Sequence, residues 1–167
     1  LAAFGLDALA IAAQALVGRG LGAGDDGHVR RVIARCLRWG LGGGALLGLL
    51  FALSGPLLAP LFTGDPDVRL AAAIGLAVAG LFLPLAGLVY VDDGILIGAG
   101  DGRYLAVAGL ITLVVYAPAC YAVYLWAPTG AAGLGWLWAA YAGVFMGARA
   151  LTLELRRRGT AWMRTGA

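Results

Sequence analysis

Two sets of polar residues, each containing aspartate, lie inside apolar stretches of this chain, where a charge is expensive. Asp7 and Gln14 fall seven positions apart in the first apolar run, about 20° from one another around a helix. Gly18 continues their stripe. A carboxylate at bilayer depth costs roughly 2.5–3.5 kcal/mol on insertion scales, so Asp7 should face a bundle interior or water, as a candidate carrier of a proton or cation. The alternative is an Asp7 solvated among the outer headgroups. The second set is Tyr90-Val91-Asp92-Asp93-Gly94. Neighbours on a helix point about 100° apart, so Asp92 and Asp93 cannot share one pocket equally. Pro84, two turns earlier, frees a backbone carbonyl, a feature of broken transporter helices. The plainer reading makes the aspartates a cap for a helix ending at Gly94. Thr112, Tyr116, Cys120 and Tyr124 recur every fourth residue beside Pro118. Their hydroxyls and ring faces suit either a path for cationic amphiphiles or interhelical hydrogen bonds.

Other chemistry is excluded by residue supply. Ser54 is the sole serine, inside the second span, and the sole histidine, His28, lies in the interfacial helix, so no Ser/His/Asp set is available. Cys36 and Cys120 have no ligand cluster around them, so no metal site or disulfide framework is indicated. The glycine runs at 18–24 and 98–102 follow apolar spans rather than a strand of a βαβ unit, which removes a dinucleotide reading. No cofactor is expected.

The elements that must position these residues are membrane helices. The 167 residues are 62% hydrophobic and 13% charged, with a mean hydropathy of +0.89, against roughly 45–50% apolar and about 25% charged in soluble domains. A span needs about 20 apolar residues. Five candidates appear, at 1–18, 39–62, 70–98, 104–126 and 131–153, and the fold class is all-α integral membrane. Residue 1 is Leu, and the chain reads as a fragment that begins inside a helix. All twelve basic residues are Arg. The pI near 9.2 is compatible with nucleic acid, but the arginines collect at span ends, and no nucleic-acid partner is expected.

Only Arg69 lies in an even connection. Arg19, Arg30, Arg31, Arg35 and Arg38 fill the first, Arg103 the third, and Arg156, Arg157, Arg158 and Arg164 the tail at 154–167, with Arg149 in the last turns of the fifth span. The positive-inside rule then makes the tail cytoplasmic. Trp39 and Trp162 are expected at the inner boundary, and Trp126, Trp136 and Trp138 at the outer one. Residues 25–38 read as an amphipathic helix in the interface, its arginines among lipid headgroups. Gly40, Gly44 and Gly48, and likewise Gly143 and Gly147, form small-residue ridges for helix packing.

The ordered motifs resemble a known family. Residues 12–25, ending Leu21-Gly22-Ala23-Gly24-Asp25, are similar to the second helix of a lobe in multidrug and toxic compound extrusion (MATE) transporters and the turn after it. Leu61-Phe62-Thr63, Asp65-Pro66, Val68, Pro84, residues 93–101 and Arg103-Tyr104 look like the C-terminal lobe of the DinF-type branch. The resemblance implies helices eight to twelve of a two-lobe, twelve-helix antiporter that expels amphiphilic, often cationic compounds as H⁺ or Na⁺ enters. It also implies a missing N-terminal lobe of the same chain as partner, besides membrane lipids and the substrate. In that branch the coupling acid lies on the first helix of the absent lobe, so no residue here inherits that role. The setting expected is a bacterial inner membrane.

The rivals are a lipid-linked oligosaccharide flippase of the same superfamily and, more remotely, an intramembrane lipid-modifying enzyme. A flippase would set arginines in its cavity for pyrophosphate, whereas each Arg here lies at or near a span end. The enzyme would need an acidic partner at metal-binding spacing from Asp92-Asp93, and none stands there. A purely structural membrane subunit would need no intramembrane carboxylate at all.

Overall fold

The computed structural model describes residues 2–163, with side chains from Phe4 onward. Leu1 and Arg164 lie outside the described residues. The helices are α1 (Ala2–Gly22), α2 (Asp26–Phe62), α3 (Pro66–Gly98), α4 (Gly102–Trp126), α5 (Ala131–Ala139) and α6 (Met146–Arg158). A π-helical turn, Ala140–Phe145, joins α5 to α6. Among the described residues, five helical stretches are long and apolar enough to cross a membrane, α5 through α6 counting as one.

Helices α2 and α3 start where the sequence supplies a side-chain cap. Asp25 accepts the His28 N–H at 2.8 Å, and Asp65 accepts the Asp67 N–H at 2.8 Å with Pro66 in the first turn. Interior prolines do not end the helices, because the surrounding bundle holds the freed backbone. Helix α3 runs past Gly94 to Gly98, so the aspartates are not a terminal cap. Residues 25–38 and 39–62, read from the sequence as an interfacial helix and a span, run on as one 37-residue helix.

Helix α3 is the axis. Its glycines let α2 close against it. A Cβ on Gly40 would stand 2.6 Å from the Gly87 carbonyl oxygen, and Gly44 faces Leu83 and Pro84 in the same way. Gly48 abuts the Gly80 carbonyl, the one that Pro84 deprives of its helical donor. The expected ridge on α2 is therefore a contact surface. The ridge on the fifth span is not built alike: Gly143 meets the Phe82 ring at ordinary distance, and a side chain at Gly147 would meet nothing within 4 Å. Farther along α3, Gly94 and Gly98 lie on the backbone of α1 at Ala10 and Gln14.

The buried core gathers Ala13, Val17 and Leu21 of α1, Val29, Ile33 and Cys36 of α2, Val89, Val91, Ile95 and Leu96 of α3, Leu153 of α6, and Trp162. It lies at the end of the bundle where the arginines are. Trp162, expected as a boundary anchor, is buried here instead, its indole N–H donating to the Arg157 and Gly159 carbonyls. Trp39, Trp126 and Trp136 are exposed, as are Leu46, Leu49, Leu53 and Leu57 along α2. Such a surface suits lipid rather than water.

Two turns at the arginine-rich end are built alike. In Gly22-Ala23-Gly24-Asp25 the Asp25 N–H returns to the Gly20 carbonyl, and in Gly98-Ala99-Gly100-Asp101 the Asp101 N–H returns to the Leu96 carbonyl. Gly24 and Gly100 sit at φ 70° and 74°, the left-handed conformation that closes a helix this way.

Candidate functional site

On α1 the buried residues Leu6, Ala10, Ala13, Val17 and Leu21 recur at helical spacing. Asp7 and Gln14 each follow a member of that stripe by one residue, so they stand at its edge. On α3, Gly94 brings the backbone against Ala10 and so carries Asp93 toward α1. The result is a cavity of about 440 Å³ whose walls include Asp7, Gln14, Tyr90, Asp93, Leu105 and Arg149. Asp7, Gln14, Tyr90 and Asp93 were each singled out from the sequence, and they converge.

Arg149 is the member that the sequence reading missed. It was counted among arginines at span ends. In the structure it lies in the cavity wall, its Nη2 donating to Asp93 Oδ1 at 2.6 Å and its Nη1 to the Leu105 carbonyl at 3.2 Å. The π turn precedes it, and such a turn resets which face the following helix presents. A usable signal was present: Arg149 stands apart from Arg156, Arg157 and Arg158 and has no acidic neighbour nearby in sequence.

Asp92 looks the other way. It is buried, and its Oδ1 lies 2.6 Å from Arg157 Nε without the alignment of a hydrogen bond. Arg157 also pairs with Glu154, and Glu154 with Arg158 at 2.8 Å. Asp101 pairs with Arg156 at 2.7 Å, and the Arg156 guanidinium covers the Tyr104 ring at 4.8 Å. Asp92, Asp93 and Asp101, from the end of α3 and the turn after it, are thus each matched to an arginine of α6. The Tyr104 hydroxyl adds a bond to the Thr152 carbonyl at 2.6 Å.

Thr112 and Tyr116 stand outside the polar cavity. The Thr112 hydroxyl is buried and donates to the Ala108 carbonyl of its own helix at 2.8 Å. Tyr116 packs edge-on to Phe145 at 5.4 Å and to Tyr141 at 6.3 Å. Trp138 meets Tyr141 edge-on at 6.1 Å. Trp138 and Tyr141, but not Tyr116, border a second, apolar cavity of about 200 Å³, walled by residues that include Leu6, Phe82, Tyr90 and Met146. Tyr90 belongs to both cavities. A separate space of about 520 Å³ lies by Asp101, Arg103, Tyr104, Arg156 and Trp162, away from Asp7 and Asp93. No cluster of three His, Cys, Asp or Glu side chains able to hold a metal ion occurs among the described residues.

Helices of this length and polarity, meeting through glycines and exposing leucine to their surroundings, make the chain a multi-pass membrane protein. Its residues 2–122 match the MatE family, and the chain belongs to that family. It is similar to protein DETOXIFICATION 45, chloroplastic, of Arabidopsis thaliana, with 30% identity over 159 residues. That alignment takes in 93% of this chain and 27% of the relative, so the chain spans about a quarter of that relative's length. No solved structure matches the chain significantly.

Proposed function

We propose that this chain forms the C-terminal lobe of a two-lobe secondary transporter that exports amphiphilic cations in exchange for H⁺ or Na⁺. The observation that carries the reading is Tyr90, which lines both the polar cavity and the aromatic one. An amphiphilic cation needs this juxtaposition: ring faces for its apolar body and a carboxylate for its charge. Within the polar cavity Asp93 is matched by Arg149, while Asp7 has no cationic partner within 4.0 Å among the described residues. The cavity therefore favours a positive guest.

Coupling follows if the ion and the drug prefer different states of the lobe pair. Neither needs to be bound while the other is, because each shifts the equilibrium only by its differential affinity for the two states. Asp7 and Asp93 are the groups here able to take up the ion, and Asp93 can do so only by loosening its hold on Arg149. The other lobe completes the pathway. Family membership and the relative's name, DETOXIFICATION, support an efflux role without enzymatic chemistry. We place the arginine-rich end and the C-terminus in the cytoplasm of a bacterial cell, the protein spanning its inner membrane.

Arg149 gives the flippase alternative its one specific observation, since a cationic residue does reach the cavity. Its pairing with Asp93 at 2.6 Å argues against a free anion-binding role. Reconstitution of the complete transporter with its partner lobe decides the matter. Export of a fluorescent cationic dye under an imposed pH or Na⁺ gradient is expected. Translocation of a lipid-linked diphosphate sugar with no dye export would overturn the proposal.

A further inference from the structure

The arginines of this chain fall into two groups that the sequence does not distinguish. Arg149, Arg156, Arg157 and Arg158 each lie within ion-pair distance of a carboxylate. Among the described residues, none of Arg19, Arg30, Arg31, Arg35, Arg38, Arg69 and Arg103 does so, and five of these seven lie from the last turn of α1 through the first turns of α2. On the first turns of α2, His28, Arg31 and Arg35 share one face at three- and four-residue spacing. They line a cavity of about 260 Å³ whose apolar wall is Leu16 of α1 with Val32 and Cys36 of α2. The Asp25 carboxylate accepts the His28 backbone N–H, and neither it nor Asp26, the nearest acid in sequence, makes an ion pair among the described residues.

Helix length sets the depth of this cavity. Residues 39–62 rise about 36 Å, enough for a hydrocarbon core of roughly 30 Å. Trp39, exposed, stands at the boundary. Arg35 then lies roughly 6 Å farther along the axis, inside a headgroup layer of about 5–7 Å, and Arg31 roughly 12 Å, just beyond that layer and within reach of it for a long side chain. We infer that the groove between α1 and the first turns of α2 is a binding site for one anionic phospholipid, its phosphate held by Arg31, Arg35 and His28. The start of an acyl chain lies on Leu16, Val32 and Cys36. Two guanidinium groups with no acid between them match a phosphate in charge and in donor geometry. The apolar wall distinguishes a lipid from a free anion. The site is independent of the transport reading.

The test compares two double variants of the full chain in detergent, binding measured by native mass spectrometry with phosphatidylglycerol against phosphatidylcholine. Arg31→Gln/Arg35→Gln removes the cavity charges. Arg30→Gln/Arg38→Gln removes equal charge from the same helix segment outside the cavity. The expected result is one tightly held phosphatidylglycerol, weakened roughly tenfold or more in the first variant and retained in the second. Equal loss in both, or loss in neither, overturns the site. Displacement of the lipid by millimolar inorganic phosphate would also overturn it, by showing a free-anion site. Unchanged helical circular dichroism in both variants confirms that binding, and not folding, is being read.

Discussion

The Asp93 carboxylate and the Arg149 guanidinium meet at 2.6 Å in the wall of the cavity that also holds Asp7. They belong to α3 and α6, and neither is fully buried. A pair of this kind holds two helices in register and yet leaves both charges reachable from the cavity. It is the point where a proton, a sodium ion or a cationic drug would compete with a fixed cation of the protein.

Replacing Asp93 tests that competition. In the complete transporter, Asp93→Asn is expected to lower efflux of a fluorescent cationic dye about tenfold or more while membrane expression holds, because only interactions that differ between states drive the cycle. Wild-type efflux would remove Asp93 from the mechanism. Asp7→Asn, in the same assay, is expected to reduce drug affinity, raising the half-saturating dye concentration more than it lowers the maximal rate.

Asp93 and Arg149 should also be energetically coupled. Asp93→Asn and Arg149→Gln are each expected to lower the thermal midpoint, and the double variant to lower it by less than the sum. Contacting ion pairs show coupling on the order of 1 kcal/mol. Strict additivity in a double-mutant thermal series would show that the two charges do not act together.

Asp92 and Arg157 should behave as structure alone. Asp92→Asn removes the buried acid beside Arg157 and leaves Glu154 as its remaining charge partner, a loss expected to cost about 1–3 kcal/mol. Replacing both by leucine is expected to restore much of that loss. Dye efflux per folded molecule should stay at the wild-type level, measured by normalising rates to detergent-stable protein. A selective loss of efflux in a well-folded Asp92→Asn protein would contradict this separation of roles.

The glycine contacts give the sharpest contrast in stability. Gly40→Ala puts a methyl group 2.6 Å from the Gly87 carbonyl oxygen, and overpacking of this kind costs about 1–3 kcal/mol. Gly147→Ala meets nothing within 4 Å and exchanges glycine for a better helix former, so it should be neutral or slightly stabilising. Thermal unfolding in detergent reads both, and equal midpoints would contradict the packing described here.

Much of this protein is one-dimensional information. Span length and hydropathy act locally, so the five membrane-crossing stretches and the arginine-rich end were legible residue by residue. So was the family, because Leu21–Asp25, Asp65-Pro66 and residues 93–101 are short ordered strings. The pairing of the two Gly-Ala-Gly-Asp turns was visible in the letters too, although only their hydrogen bonds show that they close helices in the same manner. The 100° step between Asp92 and Asp93 already forbade a shared pocket. Which of them meets Asp7 depends on how α3 is rotated, and that is decided by Gly94 against Ala10 and Gly87 against Gly40. Arg149 reaches Asp93 across 56 residues of chain and past a π turn that no hydropathy pattern marks. Charge along the sequence states which residues must find partners. Only packed backbones, held to a rotation by glycine, decide which partners they find.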